Sequence, residues 1–124
     1  MIFFLNPEQV IRIHDAQLQE HGGLAGYRDR GAVESIVARI SNFHFYEGES
    51  DLFVLAAAYL QAISRGHGFS DANKRTALLA SLVFLEMNGL SLCAPVNFAD
   101  YVAEVARGIH DIPAIAEELR KLID

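Results

Sequence analysis

The chain has 124 residues, long enough for one domain with a real core, and its 52% apolar content excludes disorder as the default state. Ten Lys and Arg face sixteen Asp and Glu, a net charge of −6 with no basic stripe, so direct nucleic-acid binding, which depends on clustered cations, is a poor fit. No apolar run approaches the roughly 20 residues of a membrane span. MIFFL lacks the basic n-region of a signal peptide, and a single cysteine, Cys93, suits a reducing cytoplasm and reads as a small buried hydrophobe.

Helix signals dominate along the chain. Asn6-Pro7-Glu8 is an N-cap followed by proline at the first helical position, predicting a helix to about Glu20, before Gly22-Gly23. Residues 24–31 (LAGYRDRG) read as a loop, and a second helix is expected over 32–40. The segment 41–50 (SNFHFYEGES) reads as irregular or hairpin-like. Ser50 or Asp51 then caps a third helix, through LFVLAAAYLQAIS to about Arg65.

A fourth helix is expected from an Asp71 cap to Gly89, a natural residue just past a helix end. Its stretch 77–85 is apolar except for Ser81, the pattern of a helix buried at the centre of its domain. Asn97 and Asp111 read as caps of helices over 98–107 and 112–122. MIFFL and SLCA are at most a minor strand pair. The expected fold is one all-α domain spanning 1–124, built around a buried central helix at about 72–88.

Against this apolar background, HGFSDANKRTA (residues 67–77) gathers a histidine, a carboxylate, an amide, a lysine and an arginine within nine positions. Arg65, Lys74 and Arg75 are three of the ten basic residues. With Asp71 as cap, the backbone N–H groups from Asp71 through Ala72 and Asn73 to Lys74 lack intrahelical acceptors and lie at the positive end of the helix dipole, a ready site for anions. Lys74 and Arg75 oppose that dipole at roughly 0.3–1 kcal/mol each when exposed, a conflict that a bound anion would remove. Asp71 suits a Mg²⁺ that bridges phosphates. His67, with an ordinary pKa of about 6.5, suits general-base work on a hydroxyl. Gly66 and Gly68 would free the backbone to aim its ring, and Phe69 would anchor the loop.

Each residue also has an ordinary reading: Asp71 as a plain cap, His67 as a turn residue, Lys74 and Arg75 as solvated charges. A Walker A loop is excluded, because Asn73 replaces the second glycine, Arg75 replaces the Ser or Thr, and the preceding segment reads as helix. His14, His21, His44 and His110 show no metal-ligand spacing.

HGFSDANKRTA resembles the signature of the Fic/Doc family, H-x-F-x-[DE]-[AG]-N-[GK]-R, and most closely its death-on-curing branch. PEQVIRIHD, GGLAGYRDRG, DLFVLAAAYL and IAEELRKL resemble that branch in order and spacing, so the likeness covers most of the chain. The resemblance implies an all-helical fold, with His67 as the base that deprotonates a target hydroxyl, Phe69 as a packing anchor and Asp71 as the magnesium ligand. It implies phosphate contacts from Asn73, Lys74, Arg75 and the Ala72 backbone, with Arg65 in a secondary binding role. The segment 41–50 matches where the family often carries a flap that aligns the target chain, although its aromatics equally suit gap-filling between helices.

The departures from the family pattern select a reaction. AMP-transferring members have glycine where this chain has Lys74, and a second arginine where it has Leu78. The Lys74/Leu78 pair therefore implies transfer of the γ-phosphoryl group of ATP, with Mg²⁺, to a Ser or Thr hydroxyl, as death-on-curing toxins are understood to do. The alternatives are AMP transfer and a non-catalytic binding module. The family's inhibitory pattern [ST]-x-x-x-E-[GN] is absent, since Phe43 stands four residues before Glu47-Gly48. The resemblance thus implies restraint by a separate antitoxin whose segment folds onto this protein, and a translation-associated target, elongation factor Tu.

Overall fold

Local capping chemistry divides the chain into helices. The computed structural model describes residues 1–22, 29–66 and 73–123. Helix α1 spans Pro7–His21 and opens with a capping box: Asn6 Oδ1 accepts from Gln9 N–H at 2.9 Å, while Gln9 Oε1 accepts from Asn6 N–H at 2.8 Å. Helix α2 spans Arg30–Phe45 behind an Asp29 cap, whose Oδ1 accepts from Ala32 N–H. Helix α3 (Leu52–Arg65) is capped by Asp51, and α6 (Ile112–Arg120) by Asp111. Helix α4 spans Asn73–Met87 and α5 spans Phe98–Ala106.

Several expectations change. The second helix begins at Arg30 and runs on to Phe45, absorbing half of the segment expected to be irregular. The cause is packing: Val33, Ile36, Ile40 and Phe43 recur at helical spacing, and this stripe faces the core. Gly48, at φ 77°, then lets the chain turn back, with Gly48 N–H bonded to the His44 carbonyl and Glu49 N–H to that of Phe43. Asn97 does not cap α5 with its side chain; its own backbone is already right-handed helical, and Phe98 N–H bonds to the Pro95 carbonyl. The reading of 24–31 as loop fails at Arg30 and Gly31, which are helical; its residues 24–28 lie outside the described residues, as does the Asp71 cap.

Gly89 ends α4 as expected. At φ 92° it supports a Schellman closure, with Leu90 N–H on the Leu85 carbonyl and Gly89 N–H on that of Glu86. Gly108, at φ 82°, closes α5 in the same way.

The described residues contain no strand. Residues 1–5 form no regular element, and the backbone of Phe3 pairs with a side chain. Asn88 Oδ1 accepts from Phe3 N–H and its Nδ2 donates to the Phe3 carbonyl, each at 2.9 Å, so one amide replaces a neighbouring strand. Residues 91–94 alternate, with Leu92 and Ala94 turned inward and Ser91 and Cys93 outward. Cys93 is therefore exposed rather than buried.

Helices α3 and α4 form the centre. Helix α3 packs against α2, α4, α5 and α6, and α4 packs against α1, α3 and α5. Leu55, Tyr59, Leu60, Ala77, Ala80, Phe84 and Leu85 have no solvent exposure. The Tyr59 hydroxyl accepts from Leu5 N–H at 3.1 Å, and burial pushes its phenol far above the ordinary tyrosine range. At the edge, Asp51 Oδ2 accepts from Arg120 at 2.9 Å, joining the start of α3 to α6. Burial raises the Asp51 carboxyl, but the bonds from Arg120 and Phe53 N–H outweigh it and hold the group below its ordinary value.

Candidate active site

The polar motif lies in the connection between the two central helices. Only residues 66–72 join α3 to α4, and the helices pack along each other, so the end of α3 and the start of α4 share one end of the fold. His67, Phe69, Asp71 and Ala72 lie outside the described residues. Arg65, Gly66, Asn73, Lys74 and Arg75 are described and frame them.

Arg65 occupies the last turn of α3, where a cation complements the helix dipole. It is exposed, and its guanidinium lies against the turn after α5: a Cβ built on Gly108 would stand 3.7 Å from Arg65 Nη2. Asn73 is half-buried in the first turn of α4, and Lys74 beside it is exposed. Neither Arg65 nor Lys74 forms an ion pair among the described residues.

Arg75 differs. Its Nη2 donates to the carbonyl of Gly22 at 3.1 Å, and Gly22 is the C-cap of α1. An arginine that opposes the dipole of its own helix here meets the carbonyl end of another, where positive charge is favourable. The electrostatic conflict raised by the sequence is thus partly relieved for Arg75 within the chain and left standing for Lys74. The same bond brings the end of α1 to the mouth of the motif.

Thr76 was not singled out by sequence reasoning. It has no solvent exposure, and its Oγ1 is buried with no hydrogen-bond partner among the described residues. Side chains on a helix lean toward its N-terminus, so this hydroxyl lies on the motif side of its own turn. A buried hydroxyl without a partner is uncommon and costly. The available signal was its place in a short polar run directly before an apolar one.

A cleft of about 270 Å³ opens a turn back along α3, lined by Arg39, Ile40, Phe43, Glu47, Ala58, Gln61, Ala62 and Ile112. The remaining described histidine rings have local partners. His14 Nδ1 lies 3.2 Å from Asp15, His44 Nδ1 is 2.6 Å from the Glu49 carbonyl, and His110 Nε2 is 2.8 Å from Glu104 Oε1. No group of three or more His, Cys, Asp or Glu among the described residues has metal-binding geometry. No described helix is long and apolar enough to cross a membrane.

A sequence model of the Fic/DOC family matches residues 4–85. The chain is 42% identical over 118 residues to the protein named "Protein kinase doc" of Escherichia phage P1, covering 95% of this chain and 94% of that protein. It is 37% identical over 102 residues to "Toxin Doc" of Mycolicibacterium smegmatis, covering 79% of this chain and 78% of that one.

Proposed function

The chain belongs to the Fic/DOC family, and from that premise we propose that it is the toxin of a toxin–antitoxin pair, a protein kinase acting on a Ser or Thr hydroxyl. The observation that carries this reading is the complete set His67, Asp71, Asn73, Lys74 and Arg75 in a chain 42% identical, almost end to end, to a protein named as a kinase. The proposed domain spans residues 1–124 and the proposed setting is the cytoplasm. A separate antitoxin restrains the enzyme by folding a segment onto it. The proposed target is a translation-associated protein, elongation factor Tu in the first instance.

In this reading ATP is the phosphoryl donor. The α4 N-terminus, with the N–H groups of Ala72, Asn73 and Lys74, holds its phosphates. Lys74 and Arg65 neutralise charge there, consistent with their lack of ion pairs among the described residues. Arg75 contributes with the donors that its bond to Gly22 leaves over. His67 accepts the proton of the target hydroxyl as the oxygen forms its bond to the γ-phosphorus. The bond from that phosphorus to the bridging oxygen breaks, and ADP leaves with the electron pair. Asp71 would hold Mg²⁺, which supplies further neutralisation of phosphate charge. The donor set fits a phosphate–metal ligand on one structural point: Lys74, with no ion pair among the described residues, and Thr76 Oγ1, with no hydrogen-bond partner among them, share the first turn of α4.

Thr76→Val tests that fit. The isosteric change should raise the melting midpoint of the free protein by the equivalent of about 1 kcal/mol, because it removes a buried hydroxyl that has no partner among the described residues. It should also shrink the further rise produced by Mg-ATP. A lowered midpoint in the free protein would instead give the hydroxyl a partner within the chain.

The decisive experiment is intact-mass analysis of elongation factor Tu after incubation with this protein, ATP and Mg²⁺. A phosphate-sized gain that requires His67 is expected. An AMP-sized gain would mean that Lys74 and Leu78 do not exclude nucleotidyl transfer. No gain on this target or in a whole lysate would favour a binding module.

A further inference from the structure

The residue before His67 is Gly66, the C-cap of α3, with φ −76° and ψ 166°. Any residue adopts that conformation, so the backbone freedom expected of this glycine is not what the fold uses. The requirement is space. A Cβ at Gly66 would stand 2.8 Å from the carbonyl oxygen of Ala62 and 2.9 Å from Cδ1 of Ile36, where ordinary contact begins near 3.4 Å. Ile36 belongs to α2 and is buried, so α2 crosses directly over the point where the chain leaves α3. The two obstacles differ in kind. Ile36 Cδ1 is the end of a side chain and can rotate, whereas the Ala62 carbonyl is helix backbone and cannot give way.

We infer that Gly66 is a positioning residue for the reaction: its missing side chain lets the chain leave α3 beneath α2 and thereby fixes where His67 begins. A methyl group there pushes residue 66 outward by about half an ångström, and His67 is the next residue. Reacting groups tolerate little misplacement, since about 1 Å can cost about a hundredfold in rate. The inference rests on the reading of His67 as the base. Nucleotide affinity should change less, because the phosphates are assigned mainly to the α4 N-terminus and Lys74, and Arg65 sits on helical backbone before the displaced residue.

The experiment compares wild type, Gly66→Ala, Ile36→Val and the double variant, by steady-state phosphoryl transfer and by imidazole ¹H–¹⁵N NMR. The His67 signal is assigned with His67→Ala, and His110 serves as the internal control. Gly66→Ala should lower kcat by about 10- to 100-fold, leave KM for ATP within about threefold, and move the His67 signal but not that of His110. Ile36→Val alone should be near wild type in both readouts. The double variant should recover several-fold in kcat, because the Ile36 contact is relieved and the Ala62 carbonyl contact remains. If Gly66→Ala does not fold, the double variant carries the same comparison against Ile36→Val.

Unchanged kcat together with an unmoved His67 signal would overturn the inference. So would a loss of kcat accompanied by an equal loss of folded protein. If wild type transfers no phosphoryl group, the kinase reading fails, and the His67 signal alone decides whether Gly66 sets the position of that ring.

Discussion

His67→Ala should lower phosphoryl-transfer turnover by about 10²–10⁴-fold and leave the melting midpoint close to wild type. The size follows from the role. A positioned base stabilises only the transition state, in which the target hydroxyl gives up its proton, and 10²–10⁴ corresponds to about 2.7–5.5 kcal/mol of barrier. KM for ATP should change little, since His67 is proposed to touch the acceptor and not the phosphates. Stability should hold because the core is assembled by α3 and α4 on either side of the connection, around Leu60, Ala77 and Phe84. A base must be neutral to accept a proton. Turnover should therefore rise as pH passes upward through the imidazole pKa, ordinarily about 6.5, and that rise should vanish in the variant. Initial rates from pH 5.5 to 8.5 on both proteins test this. Comparable turnover, or an unchanged pH profile, would remove His67 from the chemistry.

Where the sequence was legible, the information was local. The capping box of Asn6 and Gln9, the Asp51 and Asp111 caps and the Gly89 closure each depend on residues within five positions of one another. The motif at 67–77 is local as well, with its polar residue types inside nine positions, and its proposed phosphate role is read from those types alone. Asn97 shows the limit even of this: the right residue type stands at the right place, but its backbone is already helical and its side chain makes no cap bond. The end of α2 was obscured by composition, because aromatic residues at 43, 45 and 46 resemble strand content. The helical spacing of Ile36, Ile40 and Phe43 was the better guide, and the exposed Phe45 and Tyr46 are what interrupts it.

What stayed hidden was long-range. Nothing near Asn88 in sequence says that its amide will pair with the backbone of Phe3, 85 residues away. Nothing near Arg75 says that the carbonyl of Gly22 will share its charge. Gly66, just before the motif, was read for its backbone freedom, whereas the structure uses its lack of volume beneath Ile36. Each of these depends on which helices cross, and that is decided by the packing of the whole core.

The other large effect is on stability, at the opposite end of α4. Phe84 has no solvent exposure, and its ring lies 5.0 Å from that of Tyr59 on α3 and 5.9 Å from that of Phe4 in the N-terminal segment. It joins three parts of the chain in one contact. Phe84→Ala should cost about 3–5 kcal/mol, the sum of lost burial and the cavity left behind, and lower the melting midpoint by about 10–20 °C in a chain of this length. Thermal denaturation followed by circular dichroism measures it. Phe84 lies three turns from Asn73 along the helix, so the folded fraction below the transition should retain wild-type kcat and the same pH dependence. That separation is the sharper part of the prediction. In the proposed reading helix α4 does two jobs, with its C-terminal half gripping α3 and the N-terminal segment and its first turn holding the ligand, and a rigid helix lets each be damaged alone. A loss of kcat in fully folded Phe84→Ala would mean that the cavity is felt along the helix, and that the core sets the geometry of the motif.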